Sequence, residues 1–293
     1  MTKSTAAHYP NIAQSFGITG IVVLATLVFS PVLLLLNELI GEEASMLVYY
    51  ILALGLSFWL VSSIRKSKTS RCSFNLGIEN KRTIPWVVIG TIALLFGVIS
   101  PISSLIPMPE SLEKAFMDFG SQTGFFAFVL MVIAAPVLEE LIFRGIILDG
   151  LLKQYSPTKS ILISSLLFGL VHLNPWQFVT GFIIGIFSGW VYYKTRSLSL
   201  AIVIHASANL SGYIARHFID LEASMDETLT EAYGGPTNLA LAISGAVVVV
   251  GICTYFLHKE FQKQLPPKDL PRPTEQIFPA DTPLPADSEN SAQ

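Results

Sequence analysis

The sequence predicts an all-α, polytopic membrane helix bundle of about eight transmembrane helices, and three observations predict it. Of the 293 residues, 52% are hydrophobic and only 13% charged, with a mean hydropathy of +0.58, whereas soluble domains carry about 25% charged residues. Apolar runs near the roughly 20 residues that one helix needs to cross a bilayer recur along the chain. The short loops between them alternate between basic and acidic. A net charge of −3, with no dense basic patch or tail, points to no nucleic-acid partner.

The predicted spans are 17–38, 46–64, 84–106, 122–152, 158–173, 175–193, 198–216 and 238–258. The first follows a single basic residue, Lys3, is longer than the core of a signal peptide and has no small-residue cleavage site after it, so it is read as a retained span. The fourth is long enough to exceed the bilayer or tilt, and the fifth is short. The alternative is seven spans, with 158–193 partly re-entrant around Asn174-Pro175.

Lys and Arg sort the loops into two sides. Arg65, Lys66, Lys68, Arg71, Lys81 and Arg82 follow span two, Lys153 and Lys159 join four to five, and Lys194 and Arg196 join six to seven. The opposite loops hold Glu38, Glu42 and Glu43, then Glu110, Glu113 and Asp118, then Asp220, Glu222, Asp226, Glu227 and Glu231. The basic side is read as cytoplasmic, which places both termini there and the protein in the plasma (inner) membrane. Residues 1–16 form the N-terminus, 17–121 the first helices, 122–216 a core that carries the polar motifs, 217–258 an outer loop and last helix, and 259–293 a Pro-rich tail expected to be disordered. The two cysteines, Cys72 and Cys253, suggest neither a disulfide framework nor a thiolate metal site. The chain ends Ser-Ala-Gln without a C-terminal Cys-a-a-X, so it is not itself expected to be prenylated.

Three polar constellations interrupt the core. In Glu139-Glu140-Leu141-Ile142-Phe143-Arg144, two carboxylates and a guanidinium lie inside an apolar span, where each ionisable group costs about 2.5–3.5 kcal/mol and marks function. Glu140 and Arg144 share a helix face and can pair. Glu139 is turned about 100° away, which leaves it for other work. The second constellation is Phe168 with His172, and the third is His205 with Asn209, each four apart. Ser207 and Ser211 beside the third favour close helix packing. At about 1.5 Å per residue from the nearest basic loop residue, Glu139 and His172 lie about 20 Å deep and His205 only about 13–14 Å.

These groups are the ones needed to activate water and stabilise an oxyanion. Glu139 could act as general base, His172 could orient the water or bind a metal, and His205 and Asn209 could donate to a developing negative charge. Alternatively, Glu139, His172 and His205 could hold a divalent metal such as zinc with an open water position. Neither H-E-x-x-H nor an embedded G-x-S-x-G is present. Two non-peptidase classes use similar residues. One is a membrane scaffold or immunity protein that binds a partner, and the other a proton-coupled transporter.

In order, on separate apolar segments, Glu139-Glu140-x-x-x-Arg144, Phe168-x-x-x-His172 and His205-x-x-x-Asn209 resemble the three motifs of the CPBP (CAAX-processing and bacteriocin-processing, or Abi) family of intramembrane proteases. The resemblance covers roughly residues 122–216 and implies an eight-helix endopeptidase of glutamate or metallo type. In it Glu139 activates water, His172, His205 and Asn209 complete the site, and Glu140, Arg144 and Phe168 support it. It also implies a membrane-associated peptide or protein substrate, prenylated in the eukaryotic branch, and a site bounded by the lipid bilayer.

Overall fold

The structure is a computed structural model that describes residues 8–70, 73–107, 109, 112, 114, 118, 120–218 and 227–263. The expected tail from residue 264 on, the acidic residues Glu110, Glu113, Asp220, Glu222 and Asp226, and Arg71 and Cys72 lie outside the described residues, whereas residues 259–262, placed in the disordered tail by the sequence, continue the last helix. Eight long helices account for the bundle: α1 (Ile12–Ile40), α2 (Glu42–Thr69), α3 (Thr83–Ser104), α4 (Phe125–Leu151), α5 (Pro157–Leu170), α6 (Pro175–Thr195), α7 (Leu198–Ala215) and α8 (Pro236–Gln262). Among the described residues there are no strands.

Polar caps push the helices past their apolar runs. Asn11 and Gln14 form a reciprocal capping box at 2.9 Å each way, so α1 starts at Ile12 rather than near residue 17. Gly41, at φ 80°, turns the chain from α1 into α2. Asn174 caps α6 through Oδ1, which accepts from the Trp176 and Gln177 amides, and Pro175 occupies the first turn, where its missing N–H costs nothing. Residues 158–193 are therefore two separate helices, α5 and α6, packed side by side.

Six of the eight, α1 to α4, α7 and α8, are long and apolar enough to cross a membrane. With 14 residues, α5 is only about 21 Å long at 1.5 Å per residue, less than a bilayer core of about 30 Å. Helix α6 has the length but is interrupted by small residues that face α5. A methyl group on Gly185 would meet Ser165 at 2.9 Å, and one on Gly181 the Gly169 backbone at 3.2 Å. Small residues at this spacing let two helix backbones approach closely.

One apolar core joins α1, α2, α4 and α5 through Ile18, Leu54, Ile142, Phe143, Ile147 and Phe168. Another joins α3, α6, α7 and α8 through Val87, Val179, Phe187, Ile204 and Leu257. Helix α4 touches α2, α5 and α7, so its polar face lies at the seam between the halves. The basic loops gather at one end, where Asp149 pairs with Arg65, Lys153 and Arg196. At the other end Glu42 and Glu43 accept from the Gln122 side chain and the Gly124 amide.

Candidate active site

Helix α4 is not a regular α-helix. Its α-helical stretch Ala135–Ile142, which carries both glutamates, is bracketed by π-helical turns at Val129–Ala134 and Phe143–Leu148. A π-turn shifts the backbone hydrogen-bond register and is frequent at functional sites. Here the first one places the Met131 carbonyl where the Asn209 side chain of α7 donates to it at 2.8 Å.

The adjacent acids part as helix geometry requires. Glu140 and Arg144 are fully buried and paired, Nη1 to Oε1 at 2.9 Å. The same Oε1 accepts from His205 Nδ1 at 3.1 Å, which sets the ring's direction from α7. Glu139, 6% exposed, points to the α2 side, and its Oε1 accepts from the Tyr50 hydroxyl. Its Oε2 has no hydrogen-bond partner and faces His205 Nε2 at 3.9 Å, too far for a direct bond.

Phe168 holds the cluster together. Its ring lies 4.4 Å from the Arg144 guanidinium carbon, within reach for a cation–π contact. It meets His172 and His205 edge-on at 5.3 and 5.4 Å between ring centres. An aromatic residue that looked like ordinary packing in the sequence thus touches groups from all three motifs.

Two expectations change. Helix α5 ends at Leu170 rather than near residue 173, so His172 lies in the following turn and not on a helix. There Nδ1 bonds the Phe168 carbonyl at 2.8 Å; since a carbonyl only accepts, Nδ1 carries the proton and a neutral ring leaves Nε2 with a lone pair. The chain reverses at once through Leu173, at φ 54°. The depth mismatch of His205 also dissolves. The His205 Nδ1 lies 3.1 Å from Glu140 Oε1, so the ring sits at the level of the glutamates.

All seven motif residues are therefore at or beside one seam. Tyr50 is the participant that the sequence reading missed, and its signal was a phenol inside the apolar span 46–64. Ser207 and Ser211 bond back to Val203 and Ser207 carbonyls, in keeping with a packing role. His217 and His258 bond within their own segments. Cys253 is a buried free thiol.

As metal ligands, Glu139 and His205 face each other, and His172, whose Nδ1 is held by its own backbone, has Nε2 as its coordinating atom. Among the described residues no group of three or more His, Cys, Asp or Glu side chains is placed to hold a metal ion. The three residues, as arranged, do not fit a three-ligand zinc centre.

Residues 121–211 match the family described as type II CAAX prenyl endopeptidase Rce1-like. An uncharacterised 24.3 kDa protein of Escherichia coli is 26% identical over 138 residues, which cover 45% of this chain and 63% of that protein. No solved structure matches the chain. The matched stretch contains Glu139, Glu140, Arg144, Phe168, His172, His205 and Asn209 and is similar to that family, and the chain that folds around it is an integral membrane protein.

Proposed function

We propose that the protein is an intramembrane endopeptidase that hydrolyses a peptide bond of a membrane-associated protein or peptide with water activated by Glu139. One observation carries the reading: Glu139 Oε2, unbonded like the Oε2 of the fully buried Glu140, is the one that faces His205 Nε2, across 3.9 Å. A buried carboxylate oxygen without a partner is costly unless the site uses it.

In this reaction Oε2 takes a proton from water while the water oxygen attacks the scissile carbonyl carbon, and the negative charge moves to the carbonyl oxygen. Asn209 has a second Nδ2 hydrogen beyond the one given to Met131, and that hydrogen is a donor for the oxyanion. His205 is held with Nε2 towards the reacting groups. When Nε2 takes up a proton, Glu140 on the far side of the ring faces the new positive charge, the arrangement of an acid–base histidine with an orienting carboxylate. The C–N bond then breaks as the proton passes from Glu139 or His205 to the leaving amine.

The test is cleavage by purified, reconstituted protein. Glu139→Gln keeps the size of the side chain and the bond to Tyr50 but removes the base, and is expected to abolish cleavage with the helical content unchanged. Retained cleavage in that variant overturns the proposal.

A further inference from the structure

Away from the glutamates, at the basic end of the bundle, three cations converge on one carboxylate. Asp149 accepts from Arg65 at 3.1 Å, from Arg196 at 3.2 Å and from Lys153. Arg65 is almost wholly buried, gives its other terminal nitrogen to the Gly145 carbonyl at 3.0 Å, and stacks its guanidinium 5.0 Å from the Phe74 ring centre. Arg65 and Arg196 alone outnumber the one carboxylate, so the cluster is rich in positive charge. Arg196 also lies against Tyr192, its guanidinium carbon 5.8 Å from the ring centre, with Nε and Nη2 buried.

The backbone at Arg196 suggests the variant that tests it. It is the residue that ends α6, and its φ of 55° lies in the left-handed region. Glycine is the residue favoured there. Ser70 ends α2 in the same way, at φ 56°, so a glycine at 196 fits the backbone as it stands.

Two cavities meet at this cluster. One of about 230 Å³ is lined by Arg65, Asp149, Tyr192 and Arg196. The other, of about 350 Å³, is lined by Phe58, Trp59, Phe74, Arg65 and Lys66. Arg65 and Phe74 line both, so the cationic and aromatic chambers adjoin across this stacked pair. Trp59 is 64% exposed on the outer surface of α2, in the place that tryptophan takes at a membrane interface.

We propose that this pair of cavities is a binding site for an anionic phospholipid, with the phosphate on Arg65 and Arg196 and an acyl chain along Phe58, Trp59 and Phe74. Basic pockets between membrane helices bind anionic headgroups, and guanidinium groups match phosphate geometry. The adjoining apolar chamber selects a lipid over free phosphate. The site does not depend on the peptidase reading, because its measure is lipid retention.

The protein is reconstituted in nanodiscs of phosphatidylcholine alone or of phosphatidylcholine with phosphatidylglycerol, then extracted for native mass spectrometry, with the thermal midpoint measured in parallel. The wild type is expected to retain phosphatidylglycerol and to melt higher when it is present. Arg196→Gly, which suits the observed backbone and removes the guanidinium, loses both effects, whereas Lys259→Gln at the end of α8 keeps both. Trp59→Ala loses retention without loss of fold. Equal retention in wild type and Arg196→Gly overturns the site, unchanged retention in Trp59→Ala overturns its acyl half, and an equal midpoint shift from inorganic phosphate in phosphatidylcholine discs overturns the lipid in favour of a simple anion.

Discussion

Glu140 Oε1 accepts from His205 Nδ1 at 3.1 Å and, at the same atom, from Arg144 Nη1 at 2.9 Å. One carboxylate oxygen thus joins the first and third motifs and neutralises a fully buried guanidinium. Both acids keep Oε2 without a hydrogen bond, but Glu140 is tied through Oε1 to histidine and arginine, while the Oε2 of Glu139 faces His205 Nε2 from the neighbouring face. Their division follows from the 100° step of the helix and makes the second acid's role separable from the first's.

Removal of Glu140 leaves Arg144 as an uncompensated buried charge, which costs about 3–5 kcal/mol. Glu140→Ala is expected to fold poorly. Glu140→Leu combined with Arg144→Leu removes both charges at similar volume, and such swaps are often neutral. Thermal midpoints should show the double variant recovered, yet its cleavage should stay low because His205 has lost the atom that orients it. Recovered cleavage in the double variant would mean that His205 needs no such support.

Tyr50→Phe tests the partner that no motif contains. The phenol donates to Glu139 Oε1, and a hydrogen bond to a charged group is worth about 1.5–3 kcal/mol. Applied to the transition state, that is a loss of about tenfold to a hundredfold in kcat/KM. The midpoint should hardly move, since the ring stays in place. An unchanged kcat/KM would reduce Tyr50 to packing.

The helices and the three motifs were legible because both are local. Apolar runs mark spans, and Glu140 with Arg144 lies at the helical spacing that pairs side chains. The rest is set by contacts between distant segments or by backbone irregularity. Nothing in Val129–Ala134 or Phe143–Leu148 distinguishes a π-turn from ordinary helix by composition. His172 looked helical because its spacing from Phe168 is four, but a reversal at Leu173 ends the helix before it. Tyr50 meets Glu139 across 89 positions, and a single chain without a fold offers no means to pair them.

Phe168 gives the next prediction. Phe168→Leu retains an apolar side chain of fair size but removes the face that Arg144 lies over and the edges that meet both histidines. A cation–π contact in a desolvated place is worth about 2 kcal/mol, so the midpoint should fall modestly and cleavage more steeply. Phe168→Ala adds a cavity, at about 3–5 kcal/mol. Cleavage that tracks the midpoint in both variants alike would make Phe168 a structural residue only.

Metal removal is the last and most discriminating measurement. For zinc to be held by Glu139, His172 and His205, His172 would have to bring Nε2 to a point shared with Glu139 Oε2 and His205 Nε2. Its Nδ1, however, is fixed to the Phe168 carbonyl at 2.8 Å, and the turn that carries it is locked by the left-handed Leu173. A carboxylate-activated water needs none of this movement. Prolonged dialysis against a chelator, followed by metal analysis of the reconstituted protein, is therefore expected to leave the cleavage rate unchanged. A rate that falls with the metal content and returns on addition of zinc alone would replace Glu139 as the activator of water with a metal that these residues rearrange to bind.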